Sequence, residues 1–187
     1  MVKKKTCVFI SGQGSNLKNL IIKSRESNFP VTINLVISNN KNAKGNIYAK
    51  KFKIPLIIIN SNLKSCDNKI LYNLFKYKIS LICLAGYMKI ISSKIIKKYQ
   101  RNILNIHPSL LPKYKGLNTF SRMLKHKEIK AGCTVHYVND KLDSGNKIVQ
   151  KIFQIDFQDN EQTLKRKTQK LEYKASPEAI IKIFRYN

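Results

Sequence analysis

Apolar residues along the chain fall into two alternating kinds of segment. Short runs dense in aliphatic and β-branched side chains predict strands at Thr6 to Ser11, Thr32 to Ser38, Leu56 to Ile59, Leu81 to Ala85, Ile103 to Ile106, Thr134 to Val138 and Lys147 to Ile155. Between most of them lie segments of helical period at Asn16 to Arg25, Asn46 to Phe52, Asp67 to Lys78, Ser92 to Tyr99, Thr119 to Lys127 and Glu161 to Phe184. In the first of these Leu17, Leu20, Ile21 and Ser24 share one face; in the last, Pro177 predicts a break. Strands alternating with helix-length crossovers predict an α/β fold, a Rossmann-like open and mostly parallel twisted sheet of about seven strands with helices on both faces. After about residue 130 two strands follow one another with no helix between them, so an antiparallel strand is expected there. A length of 187 residues suits a single domain, 1–187, with a substantial core.

Polar residues in this pattern gather at the ends of predicted strands. Asn105 and His107 are two apart on the fifth strand, so they project to one face, and Pro108 ends the strand at the imidazole. Ser11-Gly12-Gln13-Gly14-Ser15-Asn16 joins the first strand to the first helix. Its small residues and the helix N-terminus suit a phosphate; the alternative is a plain glycine turn with Ser15 or Asn16 as helix cap. A dinucleotide fingerprint needs a third glycine where Leu17 stands, so a nicotinamide cofactor is disfavoured. Leu84-Ala85-Gly86-Tyr87-Met88-Lys89 ends the fourth strand, where a flexible Met beside a glycine turn fits a flat aromatic ligand; the alternative is a plain core Met. Past the sixth strand, Asp140 and Asp143 are candidates for a general base, or for orienting a histidine, against a turn-stabilising role. His136, alternating with Val135 and Tyr137, is expected buried and hydrogen-bonded; His126, among lysines, is expected on the surface.

Composition changes this picture less than its extremes suggest. The net charge is +26, but it comes from 31 Lys against 5 Arg, in a chain where Lys, Asn and Ile make up 76 residues. That is the signature of an AT-rich coding sequence, which spreads charge over solvated faces; base readout relies on the planar Arg fork, which is scarce here. A nucleic-acid-binding protein is the rival from another class, motivated by Lys165, Arg166, Lys167, Lys170 and Lys174. Four cysteines, 7, 66, 83 and 133, have no CxxC spacing and predict reduced thiols without metal or disulfide chemistry. The apolar run after Lys3-Lys4-Lys5 is too short for a signal segment and no run is long enough to span a membrane, so a cytoplasmic protein is expected.

Taken in order, Ser11 to Asn16, Ala85 to Lys89, Asn105 to Gly116, Gly132 to Val138 and Leu142 to Gly145 resemble the phosphoribosylglycinamide formyltransferases, folate-dependent transformylases of purine synthesis. The resemblance runs over nearly the whole chain. The Asn-x-His-Pro-Ser-Leu-Leu-Pro element is shared with other 10-formyltetrahydrofolate enzymes, and the Gly-x-Gly-Ser-Asn turn narrows the match. The added domains of methionyl-tRNA formyltransferases and formyltetrahydrofolate hydrolases are not expected here. The resemblance implies the formyltransferase fold, with residues 1–100 as the phosphate- and nucleotide-binding half and 101–187 as the catalytic and folate-binding half. It implies Asn105, His107 and Asp143 as the catalytic three. Gly12, Gly14, Ser15 and Asn16 would hold the phosphate of glycinamide ribonucleotide, and Glu172 would reach its ribose. Met88, Lys89, Ile90 and Ile91, with Asn139, Asp140 and Asp143, would line the site of 10-formyltetrahydrofolate, the formyl donor. Lys89 stands where Arg is usual, Phe120 where His is common and Tyr173 where His usually follows the Glu.

In such a reaction the Asn105 amide and a protonated His107 are expected to donate to the developing oxyanion, while Asp143 favours the imidazolium and relays a proton. No metal is needed. The expected partners are small molecules, with no specific nucleic acid and no membrane, for a monomer or homodimer. The alternative within the enzyme class is a 10-formyltetrahydrofolate hydrolase or a formyltransferase acting on another amine.

Overall fold

A computed structural model describes residues 2–59 and 66–185. Its elements run β1 (Lys4–Ile10), α1 (Ser15–Ser24), β2 (Val31–Ser38), α2 (Asn46–Lys51), β3 (Leu56–Ile58), α3 (Cys66–Lys76), β4 (Leu81–Leu84), α4 (Ser93–Lys98), β5 (Ile103–His107), α5 (Thr119–Lys125), β6 (Lys130–Tyr137), β7 (Lys147–Gln154) and α6 (Glu161–Arg185). The sheet has seven strands in the order β3-β2-β1-β4-β5-β6-β7. The pairs β3·β2, β2·β1, β1·β4 and β4·β5 are parallel, and β6·β7 is antiparallel. This is the open, mostly parallel sheet that the alternating pattern predicts.

The chain divides into two compact units, Met1–Asn105 and Ile106–Asn187. In the first, β1 is the central strand. Cys7, Val8, Phe9 and Ile10 are fully buried, the unbroken apolar run of a strand covered on both faces. The order β3-β2-β1-β4-β5 reverses direction between β1 and β4, and open α/β sheets bind ligands at the carboxyl ends of strands flanking such a reversal. The Gly12 turn follows β1 and the Gly86 turn follows β4, so both lie at this switch point.

In the second unit α6 packs on β6 and β7. It runs unbroken through Pro177, against the expected break. The missing N–H and the ring clash cost about 3 kcal/mol in a helix interior. Burial of Ala175, Ser176, Ala179 and Ile180 around the proline holds the segment helical regardless. Element ends otherwise differ from expectation by a few residues. The largest shift is at β6, which starts at Lys130, because Gly132 can continue a strand whose neighbours Ala131 and Cys133 are buried. All four cysteines are free thiols, and burial pushes those of Cys83 and Cys133 up to about 12, so they behave as core residues.

Candidate active site

His107 is the last residue of β5 and is 5% exposed. Its Nε2–H donates to the Tyr114 carbonyl at 2.8 Å, which fixes the tautomer. Nδ1 is therefore the nitrogen left to exchange a proton, and it lies 3.3 Å from Asp143 Oδ2. The turn after β6 thus brings together the two members of the expected three that lie far apart in sequence. Asn105 lies two residues before His107 on the same strand, half-buried, and strand alternation gives it the same side.

Asp143 is held from three directions. Gly116 N–H donates to Oδ2 at 2.9 Å, His107 faces the same oxygen, and His136 Nε2 lies 3.6 Å from Oδ1. The residue itself sits at φ +46, in the left-handed region that Asp tolerates better than most side chains. Burial pushes its carboxyl up, but the nearby His136 ring, the Gly116 amide and the His107 imidazole outweigh this and hold it below the usual carboxylate value. His107 runs the other way. Burial pushes its imidazole below the ordinary value, and the Tyr114 carbonyl and Asp143 only partly oppose it. Both ring nitrogens of His107 face acceptors, the Tyr114 carbonyl and the Asp143 carboxylate, and these two groups oppose the loss of the proton that burial favours.

Sequence reasoning placed His136 correctly as buried and hydrogen-bonded, at 2% exposure with Nδ1 donating to the Tyr137 carbonyl at 2.8 Å. It missed that the other nitrogen reaches Asp143. It also missed the Tyr114 carbonyl and the Gly116 amide, since backbone groups of a loop carry no side-chain signal. Asn139 and Asp140 are exposed; the Asx turn here belongs to Asn139, which accepts from Lys141 N–H at 3.1 Å. Glu172 is on α6; burial of Cys133 on β6, and after it the charge of Glu172, raise that thiol.

The first unit carries the other candidate residues. Gly14 is the N-cap of α1 at φ +73, with no side-chain cap, so neither Ser15 nor Asn16 plays the capping role. A Cβ on Gly14 would stand 2.4 Å from Gly45 Cα, and one on Gly45 would stand 2.8 Å from Gly14 Cα. Gly45 N–H donates to the Gly12 carbonyl at 2.9 Å, so the turn is built on a backbone-to-backbone contact. Gly45 is the residue here that sequence reasoning missed. Gly12 is exposed, and a Cβ there would meet nothing within 4 Å. Ser15 is half-buried and Asn16 buried at the start of α1.

At the neighbouring strand end, Ser11 Oγ accepts from Met88 N–H at 2.7 Å and donates to Asn39 Oδ1 at 2.5 Å. Met88 and Ile90 are 64% and 85% exposed, and Lys89 is exposed, whereas Ile91 is core at 6%. Two large apolar side chains in water beside a glycine turn at φ +72 form an apolar ledge that a flat ligand can cover.

A family model described as formyl transferase matches residues 4–180. The chain belongs to the formyl transferase family. It is 40% identical over 185 residues to the phosphoribosylglycinamide formyltransferase of Haemophilus influenzae, covering 97% of this chain and 87% of that protein. It is 37% identical to the human trifunctional purine biosynthetic protein adenosine-3, covering 95% of this chain and 18% of that longer protein. The crystal structure of phosphoribosylglycinamide formyltransferase from Brucella melitensis superposes with a TM-score of 0.92 at 34% identity, covering 100% of this chain and 97% of that one. The chain is thus a formyl-transferring enzyme. Among the described residues no group of His, Cys, Asp and Glu is placed to hold a metal, and no helix is long and apolar enough to cross a membrane.

Proposed function

We propose that this formyl transferase moves the formyl group of 10-formyltetrahydrofolate to the amine of glycinamide ribonucleotide in purine biosynthesis. The observation that carries the reading is the buried His107–Asp143 pair, in a chain 40% identical to an enzyme named for that reaction. The turn of Gly12, Gly14, Ser15 and Asn16 receives the ribonucleotide phosphate, where backbone N–H groups and the start of a ten-residue helix favour an anion. Glu172 reaches the ribose. Folate contacts are assigned to the ledge of Met88, Lys89 and Ile90 in the first unit, anchored in its core by Ile91, and to Asn139, Asp140 and Asp143 in the second.

Bound folate supplies the formyl group on its N10. Asn105 donates its amide N–H to the formyl oxygen as negative charge develops there. Asp143, ionised at rest, takes the proton released by the attacking amine, directly or through a water. His107, with Nε2–H committed to Tyr114, relays that proton through Nδ1 to the reacting oxygen or to the departing nitrogen. His136 keeps Asp143 oriented through the cycle. The enzyme works in the cytoplasm on small molecules, as a monomer or homodimer, and binds no specific nucleic acid.

The test is a spectrophotometric assay of folate product formation with and without glycinamide ribonucleotide. Product that depends on the ribonucleotide is expected. Product formed equally well without it would make the enzyme a hydrolase and overturn the reading.

A further inference from the structure

The loop from Tyr114 to Asn118 supplies both backbone contacts to the His107–Asp143 pair, the Tyr114 carbonyl and the Gly116 amide. Its conformation is one that local preference does not hold. Tyr114, Gly116 and Asn118 all lie at positive φ, +57, +76 and +56, and Tyr114 carries a bulky side chain in a region that Cβ-bearing residues avoid. Such a loop keeps its shape only if something grips it from outside.

Arg122, in the second turn of α5, does this. Its Nη1 donates to the Lys115 carbonyl at 2.7 Å and to the Leu117 carbonyl at 3.4 Å. Its guanidinium lies over the Tyr114 ring, 5.3 Å from the centroid. Residues 114 and 116 thus turn a backbone group toward the catalytic pair, while 115 and 117, interleaved between and after them, turn theirs toward the arginine. The far side of Tyr114 is held too, its hydroxyl donating to Glu128 at 2.9 Å with His126 Nδ1 at 3.3 Å. The residue type fits the task. Only 5 of 36 basic residues are Arg, so an arginine stands against the bias of the chain. Two carbonyls and an aromatic face at once call for a planar, multi-donor cation; the point charge of lysine does not match all three.

We propose that Arg122 is a positioning residue for formyl transfer, gripping the loop so that the Tyr114 carbonyl and the Gly116 amide stay in place against His107 and Asp143. The proposal rests on the catalytic role given above to that pair. Without the grip the Tyr114 carbonyl moves off Nε2, the imidazole populates both tautomers, and Asp143 loses its amide donor. Binding of either substrate is little affected, since Arg122 touches the loop and no proposed substrate group.

The test compares wild type with Arg122→Met and Arg122→Lys in two measurements. Side-chain 15N NMR without substrates reads the His107 tautomer, assigned by comparison with His107→Gln, and steady-state kinetics give kcat and both KM values. Arg122→Met is expected to lose the single Nε2–H signature and at least tenfold in kcat, with both KM values within twofold. Arg122→Lys, which keeps the charge and one carbonyl contact, is expected to fall between the two and is the variant read if Arg122→Met does not fold. A wild-type tautomer pattern or wild-type kcat in the folded variants overturns the proposal, as does full activity of Arg122→Lys. A wild-type protein without ribonucleotide-dependent transfer would remove the proposed reaction and still leave the tautomer measurement to decide the positioning. Transfer in wild type with unchanged variants would remove the role of Arg122 alone.

Discussion

Two glycines two residues apart, Gly12 and Gly14, separate the stability of the proposed phosphate turn from its binding. Alanine at Gly14 meets two penalties. Its φ of +73 costs a Cβ-bearing residue about 1–2 kcal/mol, and the new Cβ at 2.4 Å from Gly45 Cα must push backbone aside, an overpacking cost of about 1–3 kcal/mol. The sum, about 2–5 kcal/mol, corresponds to a fall in Tm of about 4–20 °C for a domain of this size. Alanine at Gly12 meets neither, because its φ is not left-handed and the space before it is open. Its Tm should stay within about 2 °C of wild type. That open space is where the proposed function seats the ribonucleotide phosphate. A methyl group there should cost one or two charge-assisted hydrogen bonds, about 1.5–3 kcal/mol, or roughly 10- to 100-fold in the KM for the ribonucleotide, with the KM for folate nearly unchanged. Calorimetry and steady-state kinetics on the two variants check both halves. An unchanged ribonucleotide KM in Gly12→Ala would refute the phosphate assignment, and an unchanged Tm in Gly14→Ala would refute the packing argument.

Three further outcomes follow from the catalytic pair. His107→Ala should fold and lose on the order of 10²–10³ in kcat, the usual cost of removing one polarising donor, as measured by folate product formation. Asp143→Asn should lower the His107 pKa further, since the carboxylate is one of the groups raising it; an NMR titration showing an increase would contradict the assigned electrostatics. Stability should fall in acid. Folded His107 takes up a proton less readily than the unfolded chain, so its contribution is complete above the unfolded histidine value of about 6.5 and is lost as pH drops below it. Asp143 adds a second loss at lower pH, as protonation proceeds through its depressed folded value. Tm between pH 7 and 5 should therefore decline in wild type and decline less in His107→Ala.

Strand-end chemistry was the legible part of this molecule. Apolar runs interrupted by Gly12, Gly86 and Pro108 marked both the ends of β1, β4 and β5 and the residues standing there, because the same small or rigid residues that end a strand also expose a site. Contacts between distant segments were not legible. Nothing local to Gly45 announces that Gly14 rests on it, and the alternation that put His136 in the core is silent about Asp143 beyond it. Loop backbone groups such as the Tyr114 carbonyl are invisible to any pattern of side chains. Arg122 did carry a signal, a rare residue type in a lysine-rich chain, and its meaning emerged only with the carbonyls it binds. Pro177 misled for a physical reason: local preference argues for a break, and tertiary burial on either side of it prevails.

The central claim is that a buried carboxylate drives proton transfer through His107, and kcat of purified, folded Asp143→Asn tests it most directly. Asparagine keeps the shape and can still accept from the Gly116 amide, but it can neither take the amine proton nor hold charge beside the imidazole. The expected result is a fall on the order of 10²–10⁴ in kcat with the circular dichroism spectrum intact. A kcat within a few-fold of wild type would contradict it.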